Sequence, residues 1–125
     1  MKFQELLAYK NSVELAMEIF NTSKTFPKEE TYSLTDQIRR ASRSVAENIA
    51  EAYRKRDYLK HFKSKLSDSD AENSETQTWL EFSLRCDYIS EEEFEKLMNL
   101  SNEVGKLINY MKLNPTKFGV KTTNC

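Results

Sequence analysis

The segment from residue 33 to residue 55 constrains the fold more than any other part of the chain. On a helix that turns about 100° per residue, its apolar side chains fall in one stripe with the spacing of a helix-bundle seam. Its opposite side carries arginines and a glutamate that water can solvate. The segment therefore predicts a core helix that buries this stripe, which consists of Leu34, Ile38, Ala41, Val45, Ile49 and Ala52.

Composition extends the helical prediction to the whole chain. The 125 residues include only two glycines and two prolines, too few for the many turns of an all-β fold. A chain of this length folds as one domain with a single core. We therefore expect an all-α protein.

Helical periodicity and the positions of proline divide the chain into four helices. Short connections make helices that are neighbours in sequence antiparallel neighbours in space, which predicts an up-down-up-down four-helix bundle. The bundle would span residues 1–112 and be followed by a C-terminal tail, residues 113–125. The expected helices cover about residues 5–23, 33–55, 58–87 and 91–112.

Local patterns predict how three helices begin and how the first one packs. Ser33 with Asp36 has the spacing of a capping box for the second helix. Ser90 with Glu93 has the same spacing ahead of the fourth helix, and Asp57 is a cap candidate for the third. On the first helix, we expect an inward face made of Leu6, Val13, Met17 and Phe20 and widened by Leu7, Tyr9 and Ala16.

The net charge of −1 conceals an uneven distribution. In an up-down-up-down bundle, the N-terminus, the second connection and the tail share one end, and the other two connections share the opposite end. The first of these, called the basic end below, has a net charge of about +6 from Lys2, Arg54, Lys55, Arg56, Lys60, Lys112, Lys117 and Lys121 against Glu5 and Asp57. The opposite, acidic end combines Lys24 and Lys28 with Glu29, Glu30, Asp87, Glu91, Glu92, Glu93 and Glu95.

One cluster at the basic end, RKRDYLKHFKSK, combines cations with the rings of Tyr58, His61 and Phe62. Cations neutralise phosphates without reading sequence, and neighbouring rings stack on unpaired bases, so the cluster is a candidate site for RNA or DNA. The alternative is structural, with Tyr58 and Phe62 in the core and the cations as a solvated rim. The candidate phosphate contacts are Arg54, Lys55, Arg56, Lys60 and Lys63.

Polar side chains lie beside the apolar stripe of the second helix and within that of the third. Half-buried polar groups need hydrogen-bond partners on a neighbouring helix or subunit. They could form a catalytic pocket or a buried polar network, and the network is favoured because no nucleophile, metal cluster or histidine joins them. The set consists of Gln37, Ser44, Asn48 and Glu51 on the second helix with Ser69, Asn73, Thr76 and Gln77 on the third.

Motifs that carry chemistry are scarce. His61 is the single histidine, which excludes the two Glu-x-x-His pairs of a carboxylate-bridged dimetal bundle, and the sequence has no glycine-rich phosphate loop. Cys86 and Cys125 belong to no metal-binding or disulfide pattern. We therefore expect no enzymatic activity, no cofactor, no metal and no small-molecule substrate.

A second apolar set on the third helix lies well round from its core-facing side. One helix of a monomeric bundle seldom needs two apolar faces, so this set is a candidate subunit interface. The alternative is that Trp79 covers the end of the core. The set comprises Ala71, Trp79, Phe82 and Cys86.

The sequence also bears on location. It has no apolar run of 18 residues, and its first residues, MKFQELLAYK, lack the apolar region of a signal peptide. A near-zero net charge gives no general attraction to a membrane surface. We therefore expect a cytoplasmic protein without a membrane partner.

Several motifs, in one order, resemble the family of four-helix-bundle proteins encoded by intervening sequences within bacterial 23S ribosomal RNA genes. These motifs are an FP pair, QIRRASRSVAENIAEAY, SETQTWLEF and CDYI, and the likeness extends from about Phe3 to Met111. The family's NIAEG box corresponds to residues 48–52, where Ala52 replaces the final glycine.

The resemblance implies a left-handed antiparallel bundle that assembles as a homopentamer, has no known enzymatic activity and associates with nucleic acid. It also implies kinship with the accessory variability proteins of diversity-generating retroelements, which are strongly basic, unlike this chain. The function it suggests is a non-enzymatic oligomer that binds RNA or DNA phosphates through its basic end. The alternative is an oligomeric scaffold that binds a protein partner through an apolar or acidic surface.

Overall fold

A computed structural model describes residues 1–121, and within this range the chain forms four α-helices and no strand. This confirms the all-α class and the four-helix bundle. In the same range, none of the helices has the length and apolarity needed to cross a bilayer. The helix ends differ by at most two residues from those expected: α1 covers Leu7–Ser23, α2 Leu34–Arg54, α3 Leu59–Arg85 and α4 Glu91–Leu113.

Side-chain contacts show that adjacent helices run antiparallel. Between α2 and α3, Glu51 pairs with Lys65 (2.9 Å). Ser69, later on α3, donates its Oγ to the carbonyl of Val45, which is earlier on α2 (2.8 Å). The bundle is therefore up-down-up-down, while its left-handed sense stays a prediction. The other adjacent pairs show the same opposed order. Between α1 and α2, Phe20 lies by Arg43 and Ser23 by Arg39, and between α3 and α4, Asn73 lies by Gly105 and Gln77 by Asn102. Between α1 and α4, Glu18 pairs with Lys96, and Leu7 and Tyr110 line one cavity.

The core is built around α2, as the apolar stripe predicted. Ile38, Val45 and Ile49 are each no more than 1% exposed, and burying a large aliphatic side chain contributes roughly 1.5 to 3 kcal/mol. The other three helices cover this stripe with Leu15, Ile19, Phe62, Leu66, Leu80, Leu97, Val104 and Ile108.

The inward face expected for α1 is confirmed at Leu6 and Ala16, which are buried, and wrong at Val13 and Met17. Val13 and Met17 are exposed, and α1 instead turns small side chains together with Leu15 and Ile19 toward the core. Small residues let the helix backbone approach its neighbours closely, and buried Ser12 satisfies its own hydroxyl by donating to the carbonyl of Tyr9 (2.8 Å). The buried face of α1 consists of Ala8, Ser12, Leu15, Ala16, Ile19 and Ser23.

The starts predicted for α4 and α3 have different outcomes. The capping box of α4 is confirmed, because the amide of Glu93 donates to Ser90 Oγ and the amide of Ser90 donates to Glu93 Oε1, each at 3.1 Å. The cap predicted at Asp57 is wrong. Tyr58 is the residue that precedes α3, and no side chain caps that helix.

The capping box predicted at Ser33 is also wrong, since its hydroxyl does not accept from the first turn of α2. A short 3-10 turn, Lys28–Glu30, brings the Glu30 carboxylate to the start of that helix. Glu30 Oε1 accepts from both Ser33 Oγ (2.5 Å) and the amide of Leu34 (3.3 Å). A glutamate from the preceding connection therefore does the capping.

The beginning of the C-terminal tail packs at the basic end. A 3-10 turn, Pro115–Phe118, ends at Gly119, whose φ of 83° is one that L side chains rarely adopt. Phe118 packs against the core and Val120 is buried. Cys125 lies outside the described residues.

Candidate nucleic-acid interface

The end of α2 holds two guanidinium groups on aromatic rings at the basic end. Arg56 Cζ lies 3.6 Å from the ring centroid of buried Tyr53, and Arg56 Nη1 donates to the carbonyl of Tyr53 (2.7 Å). Arg54 Cζ lies 5.6 Å from the ring centroid of Phe3. Cation–π contacts of this kind fix a guanidinium in place without neutralising its charge.

These two arginines line a concave pocket of about 350 Å³ between the N-terminal segment and the end of α2. The hydroxyl of Tyr53 donates to the carbonyl of Met1 (3.1 Å), which holds the N-terminal segment against the bundle. The packed tail also borders it, because a Cβ added at Gly119 would lie 3.6 Å from Arg56 Nε. The pocket is lined by Met1, Lys2, Phe3, Gln4, Tyr53, Arg54 and Arg56.

The five candidate phosphate contacts form no salt bridge with any carboxylate of residues 1–121. Lys55, Lys60 and Lys63 are exposed. Lys65, two residues after Lys63, differs: it lies 2.9 Å from Glu51, and this hydrogen bond raises the pKa of Lys65. The structure therefore leaves the cations of the basic end unneutralised and pairs the one nearer the middle of the bundle.

The rings of the cluster fall into two classes. Phe62 is fully buried in the core, as the structural alternative proposed for it. Tyr58 is 66% exposed, and exposed His61 meets it edge to face with ring centroids 5.6 Å apart. Two rings of the cluster are therefore accessible.

The predicted polar network is divided into separate groups. Asn73 Nδ2 donates to the carbonyl of Ser101 on α4 (2.9 Å), and Ser101 Oγ donates back to Asn73 Oδ1 (2.7 Å). Gln77 Nε2 donates to Ser101 Oγ (2.8 Å) and to Asn102 Oδ1 (3.0 Å). Asn73 and Gln77 thus join α3 to α4, and within residues 1–121 neither forms a hydrogen bond with the polar residues predicted on α2.

Those α2 residues have other surroundings. Asn48 Nδ2 donates within its own helix to the carbonyl (2.9 Å) and hydroxyl (3.2 Å) of Ser44. Glu51 is exposed and pairs with Lys65, and Gln37 is exposed at the acidic end. Gln37 and Ser44 line an open pocket of about 460 Å³ with Glu72 and Glu75 of α3, whereas Asn48 and Glu51 do not line it.

Ser101 belongs to the hydrogen-bonded group between α3 and α4, and it was not predicted from the sequence. Its position is in phase with the buried side chains of α4, because Leu97, Ser101, Val104 and Ile108 recur with spacings of four and three. That spacing was the available signal. A serine in an apolar stripe needs a hydrogen-bond partner, either in its own helix, as for Ser12, or on a facing helix, as for Ser101.

The candidate subunit interface surrounds an apolar groove of about 380 Å³ at the acidic end. Phe82 is 50% exposed and lies 5.9 Å from Trp79, ring centroid to ring centroid. Cys86 is exposed in the groove, whereas exposed Ala71 lies outside it. This apolar groove is lined by Glu30, Tyr32, Ser33, Leu34, Gln37, Trp79, Phe82 and Cys86.

Comparison with known proteins shows the family to which this four-helix bundle belongs. A family model described as 23S rRNA-intervening sequence protein matches residues 4–110. The chain belongs to this family. It is also similar to a crystal structure from Bacteroides thetaiotaomicron VPI-5482, a protein with unknown function from the S23 ribosomal protein family. The two chains are 32% identical, with a TM-score of 0.78 over 90% of this chain and 99% of the other. A search of curated proteins finds no match.

In this member of the 23S rRNA-intervening sequence protein family, the acidic end is tied together by one hydrogen bond. Tyr88, which follows α3, donates its hydroxyl to Glu30 Oε2 (2.8 Å). Hydrogen bonds from Ser33 and then Tyr88 lower the pKa of Glu30, and the bond to Glu30 raises the pKa of Tyr88 to about 12. The two connections at this end are thus linked through a carboxylate that also caps α2.

Proposed function

We propose that this chain is a non-enzymatic, cytoplasmic homo-oligomer that binds RNA or DNA phosphates through its basic end with little sequence preference. The observation that carries the proposal is the pair Arg54 and Arg56, held on the rings of Phe3 and Tyr53 with no carboxylate partner in residues 1–121. A guanidinium fork matches the oxygens of a phosphate, and Lys55, Lys60 and Lys63 extend the positive surface.

The physics of such binding is counterion release. Each phosphate that a cation neutralises sets free condensed counterions, so affinity falls as salt rises, with a log–log slope of about −0.9 per phosphate on duplex DNA. Four contacts would weaken binding about a hundredfold between 50 and 200 mM salt. The near-zero net charge of the whole chain does not prevent this, because the interaction is local within about 10 Å at 0.1 M salt.

Oligomerisation would multiply the surface. We propose a homopentamer, following the resemblance to the family, with the apolar groove as a subunit contact. Exposed Phe82 and half-covered Trp79 support an interface there, because burying aromatic side chains is a major source of association energy. Several basic ends on one assembly would bind a long nucleic acid with avidity that one copy lacks.

The test compares two variants with the same change in net charge. One replaces Arg54, Lys55, Arg56 and Lys60 with glutamine, and the matched control replaces Lys24, Lys28, Arg85 and Lys96 at the acidic end. We expect the first to lose most of the affinity and most of the salt slope in fluorescence anisotropy titrations, and the control to bind as the parent does. Equal binding by the first variant and the parent would remove the proposed site.

Light scattering tests the assembly. A pentamer has a mass of about 74 kDa, five times the 14.7 kDa of the chain. We expect Phe82→Ser to reduce this mass while the far-ultraviolet helical signal remains. A parent protein that scatters as a monomer would refute the oligomer.

A second candidate function is an oligomeric scaffold that binds a protein partner through the apolar groove or the acidic end. The observation that favours it is Trp79, whose buried Nε1 has no hydrogen-bond partner in residues 1–121, since an arriving carbonyl would satisfy it. Salt separates the two functions. Binding at an apolar groove would change little between 50 and 200 mM salt, unlike phosphate binding.

A further inference from the structure

We infer that the basic end binds single-stranded RNA or DNA in preference to a duplex, because Tyr58 and His61 form a platform on which an unpaired base stacks. The inference rests on the proposed function and adds to it the class of nucleic acid. It is carried by the exposure and mutual contact of these two rings beside cations that lack carboxylate partners.

The position of Tyr58 is set by the backbone. Tyr58 immediately precedes α3 in an extended conformation (φ −128°, ψ 105°), and its amide donates to the carbonyl of Lys55 (3.1 Å). Leu59 packs against the core and Phe62 is fully buried, so the start of α3 is anchored without the ring of Tyr58. Tyr58 is therefore an exposed aromatic ring on a fixed backbone.

His61 lies one helical turn later and orients the tyrosine. The two ring planes are inclined at 78° with centroids 5.6 Å apart. An edge-to-face contact of this kind leaves at least one face of the tyrosine ring uncovered by the imidazole, in agreement with an exposed fraction of 66%. A base can stack on that face.

The surrounding charge distinguishes this ring from another exposed tyrosine. Lys55 and Lys60 are exposed on either side of Tyr58 in the sequence, so a stacked base would bring its phosphates to cations. Tyr32 is 93% exposed but follows Glu29 and Glu30 at the acidic end, where phosphates would be repelled. The same stacking is therefore not expected at Tyr32.

Stacking explains why a single strand should bind more tightly than a duplex. Bases in a duplex are paired and stacked on one another, whereas every unpaired base offers a face to an aromatic side chain. Stacking one base on such a side chain raises the affinity about five- to hundredfold. A duplex would use the cations alone. The ratio of single-strand to duplex affinity therefore reports on the platform, and the salt slope reports on the cations.

The experiment measures binding of the full chain to a 20-nucleotide oligouridylate and to an RNA duplex of the same length, at matched salt. We expect Tyr58→Ala to weaken oligouridylate binding about five- to hundredfold and to leave duplex binding unchanged. Tyr58→Phe should bind both as the parent does, because the ring remains. Leu113→Ala, which removes an exposed side chain at the same end of the bundle, should also match the parent.

The outcomes separate the inference from the proposed function. A parent that binds neither probe at 50 mM salt overturns both. If the parent binds both probes and Tyr58→Ala weakens neither, or weakens both equally, the platform is refuted and phosphate binding stands. A change in oligomer mass caused by Tyr58→Ala would place the ring in a subunit contact and would overturn the inference as well.

Discussion

The helices α2 and α3 lie side by side in the bundle, and their buried faces differ in chemistry. The middle of the α2 face is aliphatic, with Val45 and Ile49 fully buried. The middle of the α3 face is polar, with Ser69 and Thr76 fully buried and Asn73 only 4% exposed. Both faces are buried, so the difference is not one of solvent access.

The contrast shows two ways of using a buried position. An aliphatic surface contributes free energy in proportion to its area and is indifferent to small shifts of its neighbours. A buried hydrogen bond contributes only about 0.5 to 1.5 kcal/mol net, but leaving it unmade costs more, so it favours one register. We infer that α2 supplies stability and that α3 aligns its neighbours.

The largest expected effect is on the aliphatic side. Ile49→Ala should lower the free energy of unfolding by about 2 to 5 kcal/mol, because it removes buried methyl groups and leaves a cavity. Urea denaturation followed by circular dichroism measures this. The control is Met17→Ala on the exposed side of α1, which should change stability by less than about 0.5 kcal/mol. Similar losses for both variants would contradict the described core.

Two buried asparagines make the contrast between the helices testable. Asn73→Ala leaves the Ser101 hydroxyl without its acceptor on α3 and should cost about 1 to 3 kcal/mol. Asn48→Ala removes bonds within α2 alone, and the better helix propensity of alanine offsets part of that loss, so the change should stay within about 1 kcal/mol. Equal costs in urea denaturation would show that the cross-helix bonds of Asn73 have no special weight.

Gly105 sharpens the same comparison from the α4 side. A Cβ at this position would lie 3.3 Å from Asn73 Nδ2, and Asn73 is held by its bonds to Ser101. In the parent, Gly105→Ala should therefore not yield the stabilisation of about 1 kcal/mol that alanine usually gives in a helix. In the Asn73→Ala background it should yield about that amount. A double-mutant cycle with no coupling would refute the close packing.

The smallest effect concerns the acidic end, where Glu30 precedes α2 and Tyr88 follows α3. Because the pKa of Glu30 is lowered, its contribution to stability is present above about pH 4.5 and is lost as pH falls through the lowered value. Because the pKa of Tyr88 is raised to about 12, its contribution is present below pH 10 and is lost between pH 10 and about 12.

Thermal unfolding of the parent and Tyr88→Phe across this pH range checks the bond. We expect the melting temperature of the parent to exceed that of the variant by the largest margin near neutral pH, and the two to converge toward both extremes. Tyr32→Phe, which lacks such a bond in residues 1–121, should follow the parent throughout. A margin that does not vary with pH would mean that the hydrogen bond is not the cause.

Features that depend on nearby residues were predictable from the sequence. The α2 stripe and the capping box at Ser90 and Glu93 depend on spacings of a few residues along one helix. The inward face of α1 was not predictable in this way. Val13 and Met17 suggested one face, while packing against two neighbours buries Leu15, Ile19 and the small residues in phase with them.

The candidate site divides in the same manner. The cations of the basic end were visible in the sequence, because charge and topology place them there. Which rings remain exposed was not visible, since Tyr58 and Phe62 are four residues apart on the same stretch and only the packing of α3 buries one of them. The ring beneath Arg54 is Phe3 of the N-terminal segment and the ring beneath Arg56 is Tyr53, three residues earlier; neither contact was predicted.

By itself, the sequence determined four helices, the aliphatic side of α2 and the separation of charge between the two ends, because each of these depends on residue type and local periodicity. Only the tertiary structure decided the partners: Ser101 for Asn73, Tyr88 for Glu30, and the ring of Phe3 for Arg54. The physical reason is that hydrogen bonds and ring contacts are short-ranged and directional. Their partners are set by how helices distant in sequence meet, which no local pattern encodes.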